Sequence, residues 1–339
     1  MPTGDVLAVV SQSGPTVVFH DADDFRFLGT VEVPAEPHEL CFDPEHRLLY
    51  CSIAYRAGYY HANEGRAREL VVIDPDARRV LEVIDLAPEH GPHGLALDGA
   101  RGLLYISVEE GSAGPGGAVV LDTRTRKVTG RIDTEAPGPH WFAITPDGRR
   151  GYATNKEAPF VSAVDLETGR LLRRVPVPGS EGIAITPDGA QVCVATPYGD
   201  FRNPLRAQTA IQLIDTATNE VVRTIPTEHR VFPVHCTSTG LLLAGGLRMS
   251  DGESALGAQQ PGVLWIFAVD SGELLGSVDV GCFPLTITSS PDGTRGYVAA
   301  VVSSTVSVVD LESHETLATL QISRSGEPGA HGLAHIPAR

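Results

Sequence analysis

The sequence predicts an all-β chain folded as a seven-bladed β-propeller of four-stranded antiparallel blades, and three observations carry that prediction. One unit restates itself along the chain, its segments have strand length rather than helix length, and the two ends supply complementary pieces of a further unit. The unit is clearest in Gly138-Pro-His-Trp-Phe-Ala-Ile-Thr-Pro-Asp-Gly-Arg-Arg-Gly-Tyr152: a Pro-His entry, an apolar strand, an Asp-Gly turn and a second strand carrying Tyr.

The distance from the entry residue to that Tyr is the first register mark. His38 to Tyr50, His93 to Tyr105, His140 to Tyr152, Glu181 to Cys193 and Leu285 to Tyr297 are each twelve apart. The fifth unit, Phe232 to Leu243, is shorter and lacks the Asp-Gly turn, which leaves Val234 and His235 as alternative entry residues. The second mark is an Asp closing each third strand, at Asp74, Asp122, Asp165, Asp215, Asp270 and Asp310, where the carboxylate can bond the backbone of the following turn. Segments 70–74, 119–122 and 306–310 are apolar and rich in β-branched residues between turn residues, and no helix is expected. Beyond six complete units, the N-terminal strands at Val6 to Val10, Thr16 to His20 and near Phe25 to Val33 lack only a first strand, which Gly329 to Ile336 provides. Closing a seventh blade in this way removes the open edges of a linear array, so residues 1–339 form one domain.

The pattern of Pro-Asp-Gly, four residues later Tyr, then a strand ending in Val-Val-Asp, as in Thr145 to Asn155 and Ser290 to Val298, resembles the YVTN-type β-propeller repeat over nearly the whole chain. That resemblance implies the fold, and it spans binding scaffolds, lactonase-like proteins and lyases.

Charge and composition exclude some functions. With 42 acidic against 26 basic side chains, a net charge of −16 repels a phosphate backbone, and nucleic acid is not an expected partner. No apolar run approaches a membrane span and no signal peptide is evident at the N-terminus, so neither a membrane nor secretion is expected. Five cysteines without CxxC spacing suit reduced thiols in a cytoplasm, with Cys193 as a buried substitute for the repeat's Tyr.

In such a blade the entry residue begins the innermost strand and lines the central channel. It is His38, His93, His140, Glu181, the ambiguous fifth residue, Leu285 and His331. His331, His38, His93 and His140 therefore fall on four consecutive blades around one pore, a pattern that suits a transition metal. Iron or copper is favoured, and zinc, nickel and cobalt are compatible with imidazole. Glu181 is placed to ligate, to orient a ring or to move a proton, and Glu36, Glu39 and Glu89 lie near enough in sequence to orient rings. A competing account has the histidines bonding backbone or water in a wet channel.

The loops joining strands two and three emerge on the same face and are long and unlike one another: Ala54 to Glu69, Glu109 to Gly117, Pro197 to Thr209 and Leu247 to Gly262. They offer Tyr55, Tyr59, Tyr60, Tyr198, Phe201, Arg202, Arg206 and Arg248 to a small-molecule substrate, and His61 as a reserve acid or base. The expectation is a metal-dependent enzyme acting on a small organic molecule, with oxidoreductase or oxygenase chemistry first. A divalent-metal lyase and a non-catalytic binding propeller are the alternatives. Two enzyme families resemble parts of the arrangement. Carotenoid cleavage oxygenases hold non-haem iron with four histidines on a seven-bladed propeller. Streptogramin-type lyases are small seven-bladed propellers that use a divalent metal and a His base, and share the Pro-His-Gly element seen at Pro92 to Gly94.

Overall fold

A computed structural model describes residues 4–58, 63–111, 114–197, 209–248 and 259–339. Its strands form seven four-stranded antiparallel sheets, and no helix occurs among the described residues. Blades one to six each take four consecutive strands; blade one runs Glu36–Asp43, Leu48–Tyr55, Arg66–Asp74 and Arg79–Asp85. Blade seven is composite. Ala330–Ile336 pairs antiparallel with Val6–Ser11, and the sheet continues through Thr16–Asp21 to Phe27–Glu32, as the sequence predicts.

Burial explains the strand composition. The second strand of blade one is buried along its whole length, whereas the outermost strand alternates between exposed and half-buried residues. The apolar core therefore lies between blades: Tyr50, Leu70 and Val72 of blade one pack with Leu104, Ile106 and Val119 of blade two. Tyr50, Tyr105, Tyr152 and Tyr297 are fully buried, and Cys193 occupies the same place in blade four. Each such aromatic removes about 150–250 Å² from water, which makes the repeated Tyr a principal wedge between neighbouring blades.

The closing aspartates act as hairpin caps. Asp74 accepts the backbone N–H groups of Asp76 and Ala77 at 3.1 and 2.9 Å, and Asp165, Asp215 and Asp310 accept from their own turns in the same way. Asp270 is a correction. The third strand of blade five ends at Ala268, whose backbone bonds to Gly272 and Glu273 repeat those of Asp165 to Gly169 and Arg170. Alanine thus holds the capping place and Asp270 lies two residues further on, while Ser271 Oγ accepts the Glu273 N–H instead.

The fifth entry residue is also corrected: it is Phe232, neither Val234 nor His235. In blade five Val231 pairs with Gly246 and Val234 with Ala244, leaving Phe232 and Pro233 opposite one residue, just as His38 and Glu39 are in blade one. The turn after it is closed by a Thr237–Leu241 bond where blade three uses Thr145–Arg150, one residue longer, so twelve-residue counting overshoots. No helix among the described residues is long and apolar enough to cross a membrane.

Candidate functional site

Each entry histidine stands in a β-bulge of an innermost strand. In blade one Pro37 pairs with Ile53 and Leu40 with Cys51, so His38 and Glu39 together face Ser52. His93 with Gly94, and His140 with Trp141, are placed likewise against Ser107 and Thr154. A bulge leaves a backbone N–H outside the ladder, and these hydroxyls collect it. Ser52 Oγ accepts the Glu39 N–H at 3.1 Å and donates to the His93 carbonyl of the next blade at 2.7 Å. Ser107 Oγ does the same between the Gly94 N–H and the His140 carbonyl, at 2.8 and 2.6 Å. Close approach of the next blade explains the glycine after the entry residue: a Cβ on Gly332 would stand 2.4 Å from the His38 carbonyl oxygen.

The four histidines form an arc. Ring centroids are 4.0 Å apart for His331 and His38, 3.8 Å for His38 and His93, and 3.8 Å for His93 and His140. All four are buried, His93 completely. Carboxylates flank both ends of the arc. Glu39 Oε1 lies 3.2 Å from His331 Nδ1 and 3.5 Å from His38 Nδ1, and Glu181 Oε2 lies 2.8 Å from His140 Nδ1. The rest of the circle is apolar, with Phe232 and Leu285 facing His140, Glu181 and His331 across a cavity of about 10 Å³, room for about one water molecule.

Burial first, and the neighbouring imidazoles and Lys156 after it, hold His38 and His93 well below the ordinary histidine pKa, so both rings are neutral and their lone pairs available. Burial pushes Glu39 up, and His331 opposes the shift. Within the arc, His38 Nδ1 and both His93 nitrogens are buried without a hydrogen-bond partner.

Beside the arc, at the loop-facing ends of the second strands, lies a buried charged cluster. Tyr55 meets His38 edge-on at 5.8 Å and donates its hydroxyl proton to Glu109 Oε1 at 2.8 Å. Lys156 pairs with Glu109 and donates to the Tyr55 hydroxyl at 3.0 Å, and Arg66 Nε donates to Glu109 at 2.7 Å. Burial favours a protonated Glu109, but Lys156 and Arg66 outweigh it and hold the carboxyl below its usual range. Burial and then Glu109 push the Tyr55 phenol well above its usual value.

The structure thus brings together His38, His93, His140, His331 and Glu181, with Tyr55 against them. Arg248 pairs with Asp279 at 2.5 Å, on the outermost strand of blade five, and is not among the residues lining the void. Tyr59, Tyr60, His61, Tyr198, Phe201, Arg202 and Arg206 lie outside the described residues. Glu89 pairs with Arg131 at 3.0 Å. The sequence reading undervalues Glu39 and misses Ser52, Ser107, Glu109, Lys156 and Phe232. Only the hydroxyl recurring opposite three entry histidines was a signal available beforehand.

Seven four-stranded blades around a buried arc of imidazoles define the class: a propeller with a chemically loaded pore. No family model matches the chain. Two curated relatives, each named Uncharacterized protein YncE, from Salmonella typhimurium (strain LT2) and Salmonella typhi, are 24% identical over 198 residues, 57% of this chain and 49% of theirs. The chain spans about half the length of these relatives. Among solved structures, a functionally unknown protein from Desulfotomaculum acetoxidans DSM 771 superposes with a TM-score of 0.72 at 13% identity, over 99% of this chain and 100% of that one. A chain titled Kuenenia stuttgartiensis hydrazine synthase gives 0.68 at 14% identity, over 84% and 86%. The relatives and the seven-bladed ring fit the YVTN-type propeller pattern of the repeats, and the structural likenesses are of fold.

Proposed function

We propose that the protein is a metal-dependent enzyme acting on a small organic molecule, with the ion held in the histidine arc and non-haem iron or copper as the favoured metal. The observation that carries this reading is the convergence of buried imidazole nitrogens lacking hydrogen-bond partners, His38 Nδ1 and both nitrogens of His93, beside the buried carboxylate of Glu39. Leaving one such group unpaired costs about 1–3 kcal/mol, and a cation among neutral imidazoles and carboxylates removes that cost at several atoms together. A bound redox metal supplies electron transfer or activation of a small oxidant; a redox-inert one supplies Lewis acidity.

The protein's own part is to keep the rings neutral, exclude water and orient the substrate. Phe232 and Leu285 form an apolar wall opposite His140 and Glu181. Glu181, 2.8 Å from His140, also supports a lyase reading, in which this pair moves a proton while the ion polarises a carbonyl.

Elemental analysis of untagged, chelator-free protein tests the reading, beside a variant with His38, His93, His140 and His331 all changed to Ala. About one equivalent of a transition metal, lost in a variant that still folds, is the expected result. Protein that takes up none of iron, copper, zinc, nickel or cobalt overturns it and leaves a binding propeller.

A further inference from the structure

Resting on the metal reading, we infer that the ion lies off the pore axis, at the seam between blades seven and one, held by His331, His38 and the carboxylate of Glu39 rather than by four histidines.

The donor spacings divide the arc. One potential donor atom from each of His38, Glu39 and His331 lies within 4.8 Å of the other two, and no other such group of His, Cys, Asp or Glu occurs among the described residues. Two donors about 2.1 Å from one ion, at angles of 90–110°, stand roughly 3.0–3.4 Å apart. Glu39 Oε1 is 3.2 Å from His331 Nδ1 and 3.5 Å from His38 Nδ1, close to that spacing on both sides. His38 Nδ1 is buried without a hydrogen-bond partner, and Glu39 Oε1 has only the two imidazoles beside it. Glu39 is only 3% exposed, and its backbone is pinned by Ser52, so the carboxylate is held in place rather than able to swing into solvent.

The other end of the arc is arranged differently. His140 Nδ1 and Glu181 Oε2 stand 2.8 Å apart, hydrogen-bond distance and too short for two ligands of one ion at those angles. His140 is therefore oriented by Glu181 toward the void that Phe232 and Leu285 close. His93 sits between the two ends, its ring tilted against those of His38 and His140 at centroid distances of 3.8 Å, with its nitrogens left for the molecule that binds beside the ion. Two imidazoles and one carboxylate are the donor set of non-haem iron(II) sites with open positions. Catalytic zinc sites use the same donor set, so the assignment narrows the candidate metals to iron and zinc and gives the remaining histidines a substrate-facing role.

Chelator-stripped protein is titrated with iron(II) under anaerobic conditions, and with copper(II) as a paramagnetic probe whose directly coordinated imidazoles are counted by pulsed electron paramagnetic resonance. Wild-type protein is expected to bind one equivalent with two coordinated imidazoles. His38→Ala, His331→Ala, Glu39→Ala and the shape-preserving Glu39→Gln each weaken iron binding by at least about 100-fold, beyond the usual effect of losing an outer partner. His140→Ala and Glu181→Gln change it by no more than about tenfold. Four coordinated imidazoles, or Glu39 variants that bind as wild type, overturn the off-axis site while leaving the metal reading intact. Wild-type protein that binds no metal overturns both. The imidazole count is read on wild-type protein and does not depend on any variant folding.

Discussion

At His93 the ring is fully enclosed and neither nitrogen has a partner, so the side chain is a cost to the metal-free fold that an apolar ring of similar size would not carry. His93→Phe is expected to raise the stability of chelator-treated protein by about 1 kcal/mol in urea denaturation, while turnover of any substrate found is lost. Unchanged or lower stability would mean that the ring is satisfied in solution. His235 makes the acid limit of the fold explicit. It is buried, bonded through Nε2 to Ser289, and burial lowers its pKa to about 4. The unfolded chain takes up this proton near 6.5 and the folded chain holds out until about 4. The stabilisation is therefore whole above about 6.5 and is lost as pH falls through that window, by up to about 1.4 kcal/mol per pH unit. His38 and His93 are shifted in the same direction and add to the slope. In metal-free protein His235→Gln is expected to flatten the fall in stability between about pH 6.5 and 4; an unaltered slope would remove His235 from the acid response.

Among elements, the bulge of the innermost strand decides where the chemistry goes. In a regular strand His38 and Glu39 would point to opposite faces. Two residues set against Ser52 break that alternation, and the carboxylate ends beside the same imidazoles. Ser52→Ala removes the acceptor of the Glu39 N–H and the donor to the His93 carbonyl together. A loss of about 1–3 kcal/mol is expected, with weaker metal uptake, whereas Ser52→Thr keeps the hydroxyl and should recover part of both. Stability unchanged in Ser52→Ala would show that the bulge holds itself. The same element separates what could be read in the chain from what could not. The histidines share one register and were legible from spacing alone. Glu39 was not, because its direction depends on a bulge. Phe232 was not, because a turn one residue shorter shifts the count, and Asp270 misled because blade five caps its hairpin without the repeated Asp. Tyr55, Glu109 and Lys156 come from the second-strand ends of three different blades, a meeting that only the ring creates.

For the whole molecule, the fold follows from repetition and from the need to leave no open edge. Removing residues 329–339 deletes the innermost strand of blade seven, strips Val6–Ser11 of one partner and takes away His331. The expected outcome is self-association in size-exclusion chromatography together with loss of the metal; a monomeric, metal-loaded truncation would show that blade seven closes without this strand. The seam between blades seven and one also has a meaning in time. His331 and His38 stand 4.0 Å apart in the finished ring, yet nearly the whole described chain lies between them. During synthesis the pair cannot exist until the last blade has left the ribosome and zipped onto the first. A nascent chain carries His38, His93 and His140 through most of its translation without the partner that completes the seam. An ion held there would report that the last blade has met the first.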